Sequence, residues 1–186
     1  GNVFVLAGVP QIMRGMLDGT EPTATGPRYK SQTVRNLPAP VQKHLPIFIG
    51  GGGEQVTLKL VAKYGDGNNV GGTPEQVAHK EEVLLKHCAA VGRNPDEIER
   101  TVGVGNMVIR NNPAEAQKIY EAQFGRNGIS PLWENQPVGS VDQIVEQLAP
   151  YVKLGYKHLI AGFSTPHDEE SLIRFAEEVK PQLEKI

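Results

Sequence analysis

Four consecutive glycines, Gly50, Gly51, Gly52 and Gly53, stand directly behind the apolar run Pro46-Ile47-Phe48-Ile49 and directly before Glu54. Backbone without side chains lets N–H groups approach an anion closely, and a helix opening behind it adds the positive end of its dipole. A phosphate is the group such a turn would hold. A tight turn with close strand–helix packing would use the same residues, and both readings stand at this level. Two nucleotide motifs are excluded: no Gly-Lys-Ser/Thr follows the glycines, and Gln55 stands where the dinucleotide fingerprint has its third glycine.

Other residues with chemical capacity are scattered. His167, in Ser164-Thr165-Pro166-His167-Asp168, follows an apolar run at the end where active-site loops gather, and its titration range suits acid–base work. It is the one candidate for a catalytic role, set against a plain position ahead of the last helix. His79 and His87 share a helical stretch with Cys88, but no inward carboxylate cluster accompanies them, so a solvated face is expected and no metal site is assigned. Trp133 reads as a loop anchor or an aromatic lid. Arg28, Lys30 and Arg35 read as solubilising charge or as contacts for an anionic tail. No glycine-flanked nucleophile motif occurs.

The elements that must position these residues alternate in type. Short β-rich runs at residues 46–50, 66–70, 100–109 and 157–163 are separated by stretches with apolar spacing of three and four, the helical period. Thr73-Pro74-Glu75-Gln76, Asn112-Pro113-Ala114-Glu115 and Ser140-Val141-Asp142-Gln143 each offer a cap residue with Glu or Gln three positions on. Gly65, Gly92 and Gly155 stand where left-handed helix caps are wanted. Strand and helix in alternation imply parallel strands joined by right-handed crossovers. Residues 113–124 read as an additional helix, residues 19–45 as a long irregular connection, and the N-terminal segment as a strand near residues 2–6 with a helix at 11–17. The whole, residues 1–186, reads as one domain.

Composition sets the outer limits. The chain has 186 residues, 22% charged and 39% hydrophobic, with a formal charge of −2 and no long basic run, which argues against nucleic acid as a partner. No apolar stretch is long enough for a membrane span. Cys88 is the only cysteine, which excludes intrachain disulfides and suits a reducing cytoplasm. The first residue, Gly1, suits a tag scar or a chain that begins inside a longer parent.

Three stretches in order, "LPIFIGGGGEQVTLKLVAKYGDGNNV", "HKEEVLLKHCAAVGRNPDEIERTV" and "VGSVDQIVEQLAPYVKLGYKHLI", resemble the carboxyl-terminal half of a luciferase-like monooxygenase. Within that superfamily the branch of deazaflavin-dependent oxidoreductases is the most similar. The resemblance spans about residues 11–185. It implies an α/β fold of the (β/α)8 TIM-barrel type, here a partial barrel with about four to five βα units. It also implies an oxidoreductase that transfers hydride to or from a small organic substrate through coenzyme F420, with FMN as the alternative. By carry-over, Gly50, Gly51, Gly52 and Gly53 hold the cofactor phosphate through their amides, and Asn69 lies on the cofactor side of the mouth. A complete barrel has eight strands and typically about 250 residues. The shortfall implies open sheet edges covered by a second copy or by a missing N-terminal half. A truncated relative that binds flavin without catalysis, or is purely structural, is the alternative of another class. A phosphate-binding barrel enzyme of different chemistry is a third.

Overall fold

The computed structural model describes residues 10, 12–25, 30–124, 136–163 and 168–186. The chain divides into two compact units, the first comprising Gly1–Asn69 with His79–Glu99 and the second Val70–Ala78 with Arg100–Ile186.

The first unit opens with helix α1 over residues 12–17. A two-residue antiparallel ladder follows within the connection, β1 (Ala24–Thr25) against β2 (Lys30–Ser31). Strand β3 (Phe48–Gly50) leads into helix α2 (Thr57–Tyr64) and then β4 (Gly67–Gly71), which pairs parallel with β3 in the register Phe48↔Gly67, Ile49↔Asn68, Gly50↔Asn69. Helix α3 (Pro74–Val91) contributes its residues from His79 onward. Strand alternation sends Ile49 to one face, where it joins Leu60, Val61 and Ala62 of α2 and Leu84 and Cys88 of α3 in a buried cluster closed by Ile47 and Ile98. Leu84 and Cys88 are one helical turn apart and line one face. On the other face of the ladder the Phe48 ring lies against Gly67, where any side chain would collide with it.

A second anchor lies at the start of the same ladder. Asp66 accepts the Ile47 N–H at 2.7 Å, sits 2.7 Å from His44 Nε2, and pairs with Arg14 of α1 at 3.1 Å. Arg14 also donates to the Leu45 carbonyl at 2.9 Å. Burial works to raise the Asp66 carboxyl, but the Ile47 N–H, His44 and Arg14 outweigh it and hold it below the ordinary range.

The second unit carries strands β5 (Glu99–Asn106, from Arg100), β6 (Val108–Ile109), β7 (Val138–Gly139) and β8 (His158–Gly162). Strand β5 runs parallel with β8, and β6 parallel with β7. Helices α4 (Pro113–Phe124), α5 (Val141–Lys153), α6 (Glu169–Arg174) and α7 (Lys180–Leu183) pack around them, the last two joined by a π turn at Phe175–Val179. Val102, Val104 and Ile109 from the strands meet Ile144, Leu148 and Tyr151 of α5 in the larger core. The ladder between β5 and β8 shifts register between Gly103 and Gly105. Gly105 has φ +89°, and a side chain there would meet Gln136 Oε1, which accepts the Asn106 N–H at 2.6 Å. The run expected as one strand over 100–109 is therefore two, broken at Met107.

The expected caps form. Thr73 and Gln76 exchange hydrogen bonds at 3.0 and 3.4 Å, Ser140 and Gln143 complete a capping box, and Asn112 Oδ1 accepts the Ala114 N–H at 2.9 Å. Gly92 and Gly155 take left-handed conformations with φ +68° and +90°. Gly65 does not: its φ is −79°, and what demands glycine there is space, since a Cβ would lie 3.1 Å from the Val61 carbonyl oxygen.

Candidate functional site

The glycine turn is built by the first unit alone. Strand β3 ends at Gly50, and the ladder extends one residue further through the Gly51 N–H to the Asn69 carbonyl at 2.8 Å. Gly51 then turns with φ +110°, a conformation that side chains disfavour. Beneath the turn, the buried Asn68 side chain donates to the Ile49 carbonyl at 2.7 Å and to the Gly51 carbonyl at 3.3 Å. Strand alternation puts the Asn69 side chain on the opposite face, the one shared by Phe48, Gly50 and Gly67.

Helix α2 starts at Thr57, three residues later than Glu54, and Val56 at its cap position has no side-chain acceptor. The Leu58 N–H reaches back to the Gly53 carbonyl at 3.0 Å. The N–H groups of Gly52, Gly53, Glu54 and Gln55 have no acceptor among the described residues. A Cβ at Gly53 would lie 2.9 Å from the Thr57 hydroxyl, which therefore borders the turn. An uncapped helix start, a hydroxyl and a short file of unengaged amides together form a site suited to an anion.

Helix α3 clasps the same turn. His79 Nε2 lies 3.0 Å from Glu54 Oε1, and His87 Nε2 lies 2.8 Å from the Glu54 carbonyl oxygen. The Lys80 stem lies across Gly52, with Cδ and Cε 2.7 Å and Nζ 3.0 Å from where a Cβ would stand. His79 is exposed, as a solvated face requires, and His87 is half-buried; two helical turns apart, both contact Glu54 of the glycine turn. Among the described residues no group of three or more potential metal ligands gathers.

The remaining candidates fall elsewhere. His167, Trp133 and Arg28 lie outside the described residues. Lys30 is exposed on β2, and Arg35 pairs with Glu21. In the second unit Asp168 caps α6 by accepting the Ser171 N–H at 3.2 Å. It also takes Arg110 Nη2 at 2.9 Å and the Ser171 hydroxyl at 2.7 Å, while the Ile109 N–H donates to Ser171 Oγ at 2.8 Å. Burial tends to raise the Asp168 carboxyl, and Arg110 and Ser171 reverse the effect, leaving it below the ordinary range. A cavity of about 450 Å³ in this unit is lined by residues that include Val104, Gln136, Leu148 and Tyr151, and by none of the five glycine-turn candidates.

Sequence reasoning did not single out Asn68, Lys80 or Arg110. The contacts that give them meaning span 17, 28 and 58 residues. No local pattern announces such contacts.

Comparison with known proteins bears on the whole arrangement. The profile of the luciferase-like monooxygenases matches residues 9–135, more than half of the chain. No curated protein matches the sequence. Among solved structures, an F420-dependent secondary alcohol dehydrogenase holding an F420–acetone adduct is similar at TM-score 0.77 and 16% identity, over 95% of this chain and 60% of that one. The coenzyme F420-dependent tetrahydromethanopterin reductase of Methanopyrus kandleri gives 0.75 and 18%, over 98% and 64%. The oxygenating constituent of 3,6-diketocamphane monooxygenase from Pseudomonas putida, solved with FMN, gives 0.62 and 15%, over 92% and 61%. The chain therefore spans about 60% of the length of the structures it resembles. At these identities the likeness speaks to fold, an α/β arrangement of the TIM-barrel type present as a partial barrel. With strand-joined helices, parallel ladders and a profile covering most of its length, the chain belongs to the luciferase-like monooxygenase family.

Proposed function

We propose that this chain is the phosphate-gripping portion of an oxidoreductase that uses coenzyme F420, or alternatively FMN, on a small organic substrate. One observation carries the reading: the N–H groups of Gly52, Gly53, Glu54 and Gln55 stand without acceptors among the described residues, where a parallel strand gives way to an uncapped helix. Gly51 turns the backbone, Asn68 braces it from beneath, and the Thr57 hydroxyl adds a donor beside the amides. Asn69, on the strand face shared with Phe48, would border the cofactor. The bound cofactor would supply the hydride transfer; the protein's part is to hold its phosphate and fix the ring. Similar structures that carry F420 and FMN support both cofactors.

The test is titration of the protein with coenzyme F420 and with FMN, read by fluorescence quenching. The expected result is binding that falls about tenfold or more when Gly51→Val and Gly53→Val obstruct the turn, with the circular dichroism preserved. Binding indifferent to both substitutions overturns the phosphate site. A second reading, a relative that binds flavin without turnover or is purely structural, is favoured by the chain's spanning only about 60% of its neighbours. Binding with no substrate-dependent reduction would select it.

Phe48 on β3 and Ile160 on β8 are 48% and 52% exposed, apolar strand surface of the sort another chain covers. A second copy, or the other half of a barrel, is the partner proposed, and a stable monomer in sedimentation would refute it. Among the described residues no helix is long and apolar enough to cross a membrane. Cys88 is the chain's single cysteine and is buried, so no intrachain disulfide can form, and a reducing, cytoplasmic setting is the one proposed.

A further inference from the structure

We infer that Lys80 is the residue by which the glycine turn selects a phosphorylated cofactor over its phosphate-free counterpart. The inference rests on the phosphate reading given above and adds to it a named cation. Three groups of helix α3 converge on the turn. His79 engages the Glu54 carboxylate, His87 engages the Glu54 carbonyl, and the lysine between them drapes its stem over Gly52. The histidines fix the helix against the turn at two points two turns apart, so the position of Lys80 follows from a clamped element.

The stem contact explains why Gly52 carries no side chain. Gly52 has none of the left-handed torsion that obliges glycine at Gly51, so its backbone alone would accept alanine. What a methyl group would meet is Lys80, with Cδ and Cε both 2.7 Å away. Bare backbone at Gly52 leaves room for the lysine to cross the turn, and crossing brings its ammonium to Gly52, the first of the four residues whose amides lack an acceptor among the described residues. Amides and an ammonium are all donors, a set that a phosphate, with several charged acceptor oxygens, complements better than a neutral group does. The Glu54 carboxylate, which would repel a phosphate, is meanwhile engaged by His79.

Four ligands test this: FMN with riboflavin, and coenzyme F420 with its phosphate-free deazaflavin chromophore. Each is titrated by fluorescence into the wild-type chain, Lys80→Met, Gly52→Ala and the double variant. The expected result is that K80M weakens the phosphorylated ligand of the pair about tenfold while its phosphate-free counterpart changes less than twofold. G52A, which displaces the stem, should reproduce the loss, and the double variant should be no worse than the worse single one. Lys80→Arg, keeping the charge, should recover part of the affinity.

If the wild-type chain prefers the phosphorylated ligand and K80M keeps that preference undiminished, the lysine assignment is wrong and the amide turn alone binds phosphate. If the wild-type chain shows no preference for phosphate, or binds none of the four ligands, both the turn reading and the lysine assignment fail.

Discussion

At the scale of single residues, buried charge separates what holds the second unit from what decorates it. The side chains of Arg110 and Asp168 are 11% and 4% exposed, and Ser171 ties both to the backbone of β6. Asp168→Asn leaves Arg110 with the exposed Glu170, 3.2 Å away, as its remaining carboxylate and should cost about 1.5–3 kcal/mol in urea unfolding. The carboxyl is held below its unfolded value near 3.9, so its contribution is complete above about pH 4 and disappears as pH falls through the folded value. Acid denaturation of D168N should accordingly begin from a lower stability and show a flatter acid limb. Gly51 and Gly52 make a complementary pair. Alanine at Gly51, where φ is +110°, should cost about 1–3 kcal/mol, whereas alanine at Gly52 displaces only the flexible end of a lysine and should leave the melting temperature nearly unchanged. The glycine run was legible in the sequence because four glycines behind an apolar strand admit few uses. Which of two adjacent asparagines braces the turn was not: the register that sends Asn68 beneath the turn and Asn69 to the other face is set by pairing with β3.

Among elements, the helix starts were readable because capping is local. Thr73, Asn112 and Ser140 each engage a group two or three residues away, and each was found where the pattern placed it. Ser140→Ala removes one side of a capping box and should lower stability by about 1 kcal/mol, a melting shift of about 2–4 °C in calorimetry. Strand ends were less readable. The break at Met107 goes with Gln136, thirty residues beyond Asn106, filling the space beside Gly105. Gly65 illustrates the same limit from another side, since it closes α2 in extended rather than left-handed backbone and is selected by crowding against Val61. The pairing of β6 with β7 joins residues thirty apart across strands of two residues each, too short for periodicity to mark.

For the molecule as a whole, the chain occupies about three-fifths of the length of the barrels it resembles, yet each of its two units closes a hydrophobic cluster of its own. The family was legible because three separated stretches resemble it in the right order; the division into units was not, because it runs through β4 and α3, elements that read as continuous. One buried atom makes the first unit separately observable. Cys88 is the chain's only thiol and is fully buried in the cluster that also holds Ile49, Val61 and Leu84. A thiol reagent in excess can reach it only when that cluster opens, so the labelling rate is a clock for the opening of that cluster. A ligand seated on the glycine turn should slow the clock by the factor 1 + [L]/Kd, which turns a single sulfur into a binding assay that needs no chromophore and no turnover.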